Sequence, residues 1–184
     1  MKLKLKNIWG HFHTITHHKN QVMKNCFKVG LYRQGLLHDM SKYNPVEFVV
    51  GCLYYQGNRS PNAAERDEKG YSSAWLHHKG RNKHHSEYWI DVDKDENGNF
   101  YTAGMKMPVK YVVENFMDRI AASKTYKKEA YDDKSPLEYY NQGRHVLIMH
   151  PESQRLLESM LVMLAEKGEK ETFKYVRKNV LKKK

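Results

Sequence analysis

The feature that most constrains the fold is a stripe that recurs at three- and four-residue steps from about Asn7 to Val29: Ile8, His11, Ile15, His18, Val22, Cys26 and Val29. This period puts all seven on one face of a long helix, and hiding that face requires partner helices. The stripe carries imidazoles among its apolar groups. His18 lies in it with His11 two turns earlier, whereas His13 and His17 share the wetter side with Asn20 and Lys24. Helical geometry therefore favours His18 over His17 as the inward imidazole, with His17 the open alternative. A core hydrogen bond would satisfy His18 equally well, so other residues must decide its role.

The rest of the chain also reads as helices. Gly30 and Gly35 bracket a turn, and Leu36 to Met40 form a short helical piece carrying His38 and Asp39. Asn44, Pro45 and Glu47 then make a helix start, with Glu47 placed to serve as a capping partner. VEFVVGCLYY is apolar nearly all round, as a helix buried on several sides should be. Gln56 to Tyr71 is a surface loop or short solvated helix. If SSAWLHHKGRNKHHSEYW is helical, Trp75, His78, Asn82, His85 and Trp89 share one face, and His77, Arg81, His84 and Tyr88 the next. The first pair of histidines, His78 and His85, is favoured over His77 and His84. Gly80 weakens continuity there by about 1 kcal/mol.

Ile90 to Thr102, with Asn97-Gly98 at its centre, reads as a solvent-exposed hairpin. Its aspartates lack EF-hand spacing. Pro108 opens another helix with an apolar stripe of Val109, Val112, Val113, Phe116 and Ile120, and Asp118 lies opposite, beside Glu114, Ala121 and Ala122. Ser135 to Glu138 suggests a capping box, and Pro151 opens a core helix ended by Gly168. The expectation is an all-α fold, a helical bundle with a small β-hairpin, in one domain over 1–184. Its core spans about 7–167, and a basic helix or tail follows over 169–184.

Lys and Arg total 32 against 21 Asp and Glu, a net charge of +11 that favours polyanionic partners and leaves nucleic acid among them. Much of the excess lies in MKLKLK and KYVRKNVLKKK, where solvated lysines at frayed termini are the simplest account. Cys26 and Cys52 sit alone in apolar stretches, which argues against disulfides or a thiolate zinc site and fits the reducing cytoplasm. No apolar run approaches the roughly 20 residues that span a bilayer, so no membrane partner is expected.

The stretch GLLHDMSKYNPVEF places His38 beside Asp39, a nitrogen and an oxygen able to bind one metal together. In chain order, His18, His38-Asp39, the histidines of HHKGRNKHHSEYW and Asp118 of PVKYVVENFMDRIAA resemble the ligand succession of the HD superfamily of metal-dependent phosphohydrolases. The wording of these stretches is also similar to a family of short HD-like proteins whose domain has no assigned function. The resemblance covers about Ile8 to Tyr126. It implies an HD-domain-like bundle holding one or two divalent ions (Mn, Mg, Fe, Zn, Co or Ni) through His18, His38, Asp39, His78, His85 and Asp118. It further implies hydrolysis of a phosphate-containing small molecule, a nucleotide above all, with Asp39, Lys42 and Glu47 in catalysis, Glu47 as general acid, and Lys42, Arg81 and Lys83 binding phosphate. Two other readings stand beside it: a di-iron oxygenase of the same fold using the same six ligands, and a non-enzymatic module that binds nucleic acid through its basic surface, with the metal site structural or degenerate.

Overall fold

The imidazole-bearing stripe forms a single helix. In the computed structural model, which describes residues 2–182, α1 runs Leu5–Val29 and buries His11, Ile15, His18, Val22, Cys26 and Val29. Ile8 is only half-buried. The helix ends at Gly30, whose φ of 90° is a left-handed conformation that costs glycine little. There Gly30 N–H donates to the Phe27 carbonyl and Leu31 N–H to that of Cys26, satisfying two of the helix's last acceptors.

The chain then doubles back as α2 (Tyr32–Leu37) along α1. Gly35 makes the close approach possible: a Cβ there would stand 3.1 Å from both the Cβ of Cys26 and the Cα of Met23. The continuous helical piece expected over Leu36 to Met40 is broken instead. His38 is extended, Asp39 is left-handed at φ 53°, and a short 3-10 turn follows over Met40–Tyr43. Pro45–Leu53 forms α3, with Asn44 Oδ1 accepting from Val46 N–H as the cap pattern requires.

Pro61–Lys69 (α4) supplies the buried Glu65, whose carboxylate accepts from Ser72 Oγ at 2.7 Å and Ser73 Oγ at 2.6 Å. These bonds fix the start of α5 (Ser73–Lys79). The hairpin forms as expected, β1 (Ile90–Lys94) antiparallel to β2 (Phe100–Gly104), with Ile90 opposite Gly104 and Lys94 opposite Phe100. After it come α6 (Val109–Lys127), α7 (Ser135–Gly143) and α8 (Pro151–Tyr175), the last continued by a π turn over Val176–Val180. The capping box expected at Ser135 is absent. Ser135 already lies inside α7 and bonds back to Asp132, while Glu138 pairs with Lys127.

The fold is therefore all-α with one small hairpin. Its apolar core joins Val22, Cys26 and Val29 of α1 to Val112, Val113, Phe116, Met117 and Ile120 of α6, and to Leu157, Met160, Leu161 and Leu164 of α8. The same core takes in Phe173 and Val176, so the basic C-terminal segment is a seated helix and not a frayed tail. Gly168, at φ 74° and ψ 172°, kinks α8 where the sequence suggested its end. Met1, Lys183 and Lys184, at the extremes of the expected domain and tail, lie outside the described residues. Among those described, no helix is long and apolar enough to cross a membrane.

Because α2 rests on α1 through Gly35, Gly35→Ala should lower the unfolding free energy by about 1–3 kcal/mol, the usual cost of overpacking. Denaturant unfolding followed by circular dichroism measures it. An unchanged midpoint would mean that α2 does not need this close approach.

Candidate metal centre

Four segments converge beside the middle of α1. The polar half of the α1 stripe brings His18, and the break after α2 brings His38 and Asp39. α5 and the turn after it bring His78, His84 and His85, and α6 brings Glu114 and Asp118. The left-handed Asp39 backbone, which aspartate tolerates better than most residues, lets two adjacent side chains both turn inward. His38 is 1% exposed and Asp39 2%.

Asp39 sits between two groups of donors. On one side, His18 Nε2 lies 2.9 Å from Asp118 Oδ1 and 3.8 Å from Asp39 Oδ2. His38 Nε2 lies 3.4 Å from the same Asp39 oxygen and 3.6 Å from Asp118 Oδ1. On the other, Asp39 Oδ1 faces His78 Nε2 at 3.3 Å and His84 Nε2 at 3.4 Å, and His85 Nε2 is 3.0 Å from His78 Nε2. Within each group the donor atoms lie within 4.8 Å of one another, a span that suits a shared cation.

The directions of these atoms test whether a cation fits. Asp39 Oδ1 and the Nε2 atoms of His18, His38 and His84 are buried yet have no hydrogen-bond partner, and Asp39 Oδ2 meets only the Lys42 ammonium, at 2.6 Å. Buried polar atoms are normally bonded, because leaving one unpaired costs about 1–3 kcal/mol. Here close neighbours are misaligned for hydrogen bonds, as they are when lone pairs aim at a common point. The residues present therefore fit a metal.

Carboxylates stand behind the imidazoles. Glu114 Oε1 lies 3.0 Å from His38 Nδ1 and 3.3 Å from His84 Nδ1, and Glu47 Oε2 lies 2.8 Å from His78 Nδ1. Contacts of this kind hold the proton on Nδ1 and leave Nε2 free to coordinate. Glu114 also belongs to a third possible metal group with His38 and His84. Orientation is the better account of it, since it meets their Nδ1 atoms while their Nε2 atoms face Asp39.

The electrostatics call for positive charge. The cluster holds four carboxylates, Asp39, Asp118, Glu114 and Glu47, and one ammonium, Lys42, whose Nζ is 2.6 Å from Asp39 Oδ2. Burial by itself lowers the His38 pKa, but the carboxylates of Asp39, Asp118 and Glu114 outweigh it and push it up to about 10. Burial likewise opposes ionisation of Asp39, and the charges of His38, Lys42 and His78 reverse this, holding its carboxyl well below the usual range. His85 and His18 are shifted down, chiefly by burial, which keeps their lone pairs available. Cations bound here would take over the compensation that protons on imidazole otherwise provide.

A cavity of about 330 Å³ opens onto this cluster, lined among others by Lys42, Trp75, Arg119, Tyr126 and Tyr139. Trp75 packs against His78 and His85, with ring centroids 5.6 and 4.8 Å away. Arg119 is held by its Nε–H donating to Asn115 Oδ1 at 2.9 Å and by the Tyr140 ring, 5.1 Å from its guanidinium carbon.

The structure brings together all six residues expected as ligands and adds His84 to them. His17 is exposed, stacked on His13 and bonded to Gln21, away from the cluster. His77 meets Glu47 instead, at 2.6 Å. The single-helix reading of SSAWLHHKGRNKHHSEYW fails because α5 stops at Lys79 and a turn follows, with His85 N–H donating to the Asn82 carbonyl. Asn115 Nδ2 ties that turn to α6 through the His84 carbonyl at 2.9 Å, so neighbouring imidazoles can both face inward. Glu47 is not a helix-capping partner, since its carboxylate serves the two imidazoles. Arg81 and Lys83 do not line the cavity. Both are exposed beside a separate depression behind His84 and Glu114. The structure adds Glu114 and Arg119 to the expected residues, and the one-turn spacing of Glu114 and Asp118 is the signal of the first in the sequence.

Residues 7–163 match the model of a family of unknown function, DUF5662. The chain belongs to that family. No curated protein and no solved structure matches it. The DUF5662 match takes in every residue of the centre, from His18 to Arg119, and stops within α8.

Glu114 should act on metal through the imidazoles it orients. Glu114→Gln should weaken metal affinity about 10–100-fold, as loss of such partners does, in chelator-competition titrations of the stripped protein. Asp39→Asn keeps the size and the left-handed tolerance of the side chain. It should remain folded by circular dichroism and take up neither ion, whereas full metal uptake by this variant would remove Asp39 from the site.

Proposed function

We propose that this member of DUF5662 is a metal-dependent phosphohydrolase of the HD type, acting as one cytoplasmic domain on a phosphate ester, with a nucleotide as the favoured substrate. The observation that carries this reading is the buried Asp39 carboxylate, which turns one oxygen to each of two imidazole groups. Paired ions are a recurrent device for displacement at phosphorus. His18, His38, Asp39 and Asp118 would hold one ion, and Asp39, His78, His84 and His85 the other. Nitrogen-rich donors without thiolate suit manganese, iron, cobalt, nickel or zinc better than magnesium.

When bound, such ions supply Lewis acidity toward phosphoryl oxygens and a water far more acidic than bulk. The chain's own residues place the substrate. Arg119 is the best-placed phosphate ligand: it is fixed at Nε and over Tyr140, makes no salt bridge among the described residues, and lines the cavity. Lys42 adds charge at the Asp39 end. Trp75, Tyr126 and Tyr139 give the cavity aromatic walls of the kind a nucleobase can stack on. The volume lies at the lower end of the range of small-molecule sites, which favours a mononucleotide over a longer chain.

Glu47 takes a different part from the one its sequence position suggested. Burial raises its pKa, but hydrogen bonds from His78 and His77 outweigh that and keep it ionised. It is thereby a positioning residue for His78, not the proton donor.

The manganese-loaded protein should carry about two metal ions per chain and release inorganic phosphate from a nucleotide panel. Asp39→Asn should abolish both. Arg119→Met should raise KM roughly tenfold or more, the loss of about 1.4 kcal/mol or more of binding, with metal content unchanged. No release from nucleotides, cyclic dinucleotides or sugar phosphates would overturn the assignment. Oxygen uptake by an iron-loaded preparation would replace it with the di-iron oxygenase, which the same donors suit.

A further inference from the structure

We infer that the C-terminal half of α8, the π turn and residues that continue it, and the end of α1 form a second binding site, one for the phosphate backbone of a nucleic acid, engaged without regard to sequence. A groove of about 700 Å³ runs between them, lined by the cations Lys28, Lys170, Lys174, Arg177, Lys178 and Lys182. All six are exposed. The wall from Lys170 onward lies beyond the residues matched by the family model and is separate from the metal centre, so this site does not depend on the proposed hydrolase activity.

Lysines at a chain end are ordinarily solvated and uninformative. These are not loose. Phe173 and Val176 are buried in the core, and Val180 and Leu181 pack against it, so the backbone that carries the cations is fixed. Helix termini provide a second ordinary explanation, since cations favour the negative end of the macrodipole. That effect is confined to the last turn, whereas Lys170 lies well before it. The acid in the groove does not cancel the charge. Glu169 is already engaged by Lys124 and by the Tyr131 hydroxyl. Lys174 has only a distant partner, Glu171 at 3.9 Å, and Lys28, Lys170, Arg177, Lys178 and Lys182 form no salt bridge among the described residues.

The lining also selects among polyanions. The apolar face of this helix is spent on the core, leaving no hydrophobic stripe to enter a bilayer, as an interfacial membrane helix needs. Phe173, the aromatic ring of the groove, is 5% exposed with Lys28 Nζ 5.4 Å from its centroid, so it offers no platform for stacking an unpaired base. What remains is a concave row of cations, which matches a run of phosphates and carries no base readout.

The test is fluorescence anisotropy of a labelled 20-base-pair DNA duplex with the full-length protein across a salt series. The expected result is binding whose log K falls by about 3–4 per tenfold rise in salt, the slope for about four neutralised phosphates. The triple variant Lys170→Gln/Lys174→Gln/Lys178→Gln should bind at least tenfold more weakly with an unchanged circular dichroism spectrum, and Asp39→Asn should bind as the parent does. Undiminished binding by a folded triple variant would overturn the site, as would no duplex binding at 50 mM salt. Binding to vesicles containing phosphatidylserine in place of the duplex would overturn it in favour of a membrane surface.

Discussion

One buried carboxylate sets the terms for the rest of the structure. Asp39 is almost wholly removed from water and lies among imidazoles that crowd both its oxygens. An isolated charge in such a place is strongly disfavoured, so the surrounding chain must supply compensation. Lys42, three residues on, provides one positive charge, while Glu114, Asp118 and Glu47 add negative charge nearby. The balance stays short of cations unless imidazoles hold protons or metal ions take their place. A protein stabilised for its own sake would not be expected to concentrate this cost at one point, whereas a site built to hold cations would.

The helices meet that cost through a division of labour along their length. In α1, Val22, Cys26 and Val29 enter the apolar core while His18 and His11 occupy the same face nearer the start. In α6, Val112, Val113, Phe116, Met117 and Ile120 pack inward around the helix from Glu114 and Asp118. Each fully buried aliphatic side chain contributes about 1.5–3 kcal/mol before conformational entropy is set against it. The core holds the two helices in register, and that register brings His18 to Asp118. Glu65 gives α5 similar support through Ser72 and Ser73, so His78 is placed by a buried polar anchor and not by apolar packing alone.

Charge is distributed over the molecule in two distinct ways. Around the candidate metal centre the cations are few and individually held: Lys42 by Asp39, and Arg119 by Asn115 and Tyr140. Along the end of α8 they are numerous, exposed and mostly without carboxylate partners. The first arrangement suits recognition of one small anionic ligand in a fixed pose, the second a repeating and loosely specified array of charge. The net charge of +11 combines both and so separates neither.

Much of the fold was legible in the sequence because helical periodicity and turn chemistry are local. The α1 stripe, the Asn44-Pro45 start of α3, the Asn97-Gly98 hairpin and the α6 stripe each depend on neighbours within a few residues. The choice of His18 over His17 was legible for the same reason, since a hundred degrees of helix rotation separates them. The inward turn of His84 was not, because it follows from a helix that stops at Lys79 and from Asn115 holding the His84 carbonyl across a gap of 31 residues. The partners of Glu47, the placing of Arg119 over Tyr140 and the separation of Arg81 and Lys83 from the cavity likewise depend on packing between distant segments. The sequence by itself determined the helices and most of the donor types. Only the tertiary structure decided which donors share a centre, because convergence depends on helix register and on where helices break, and these are settled by long-range packing.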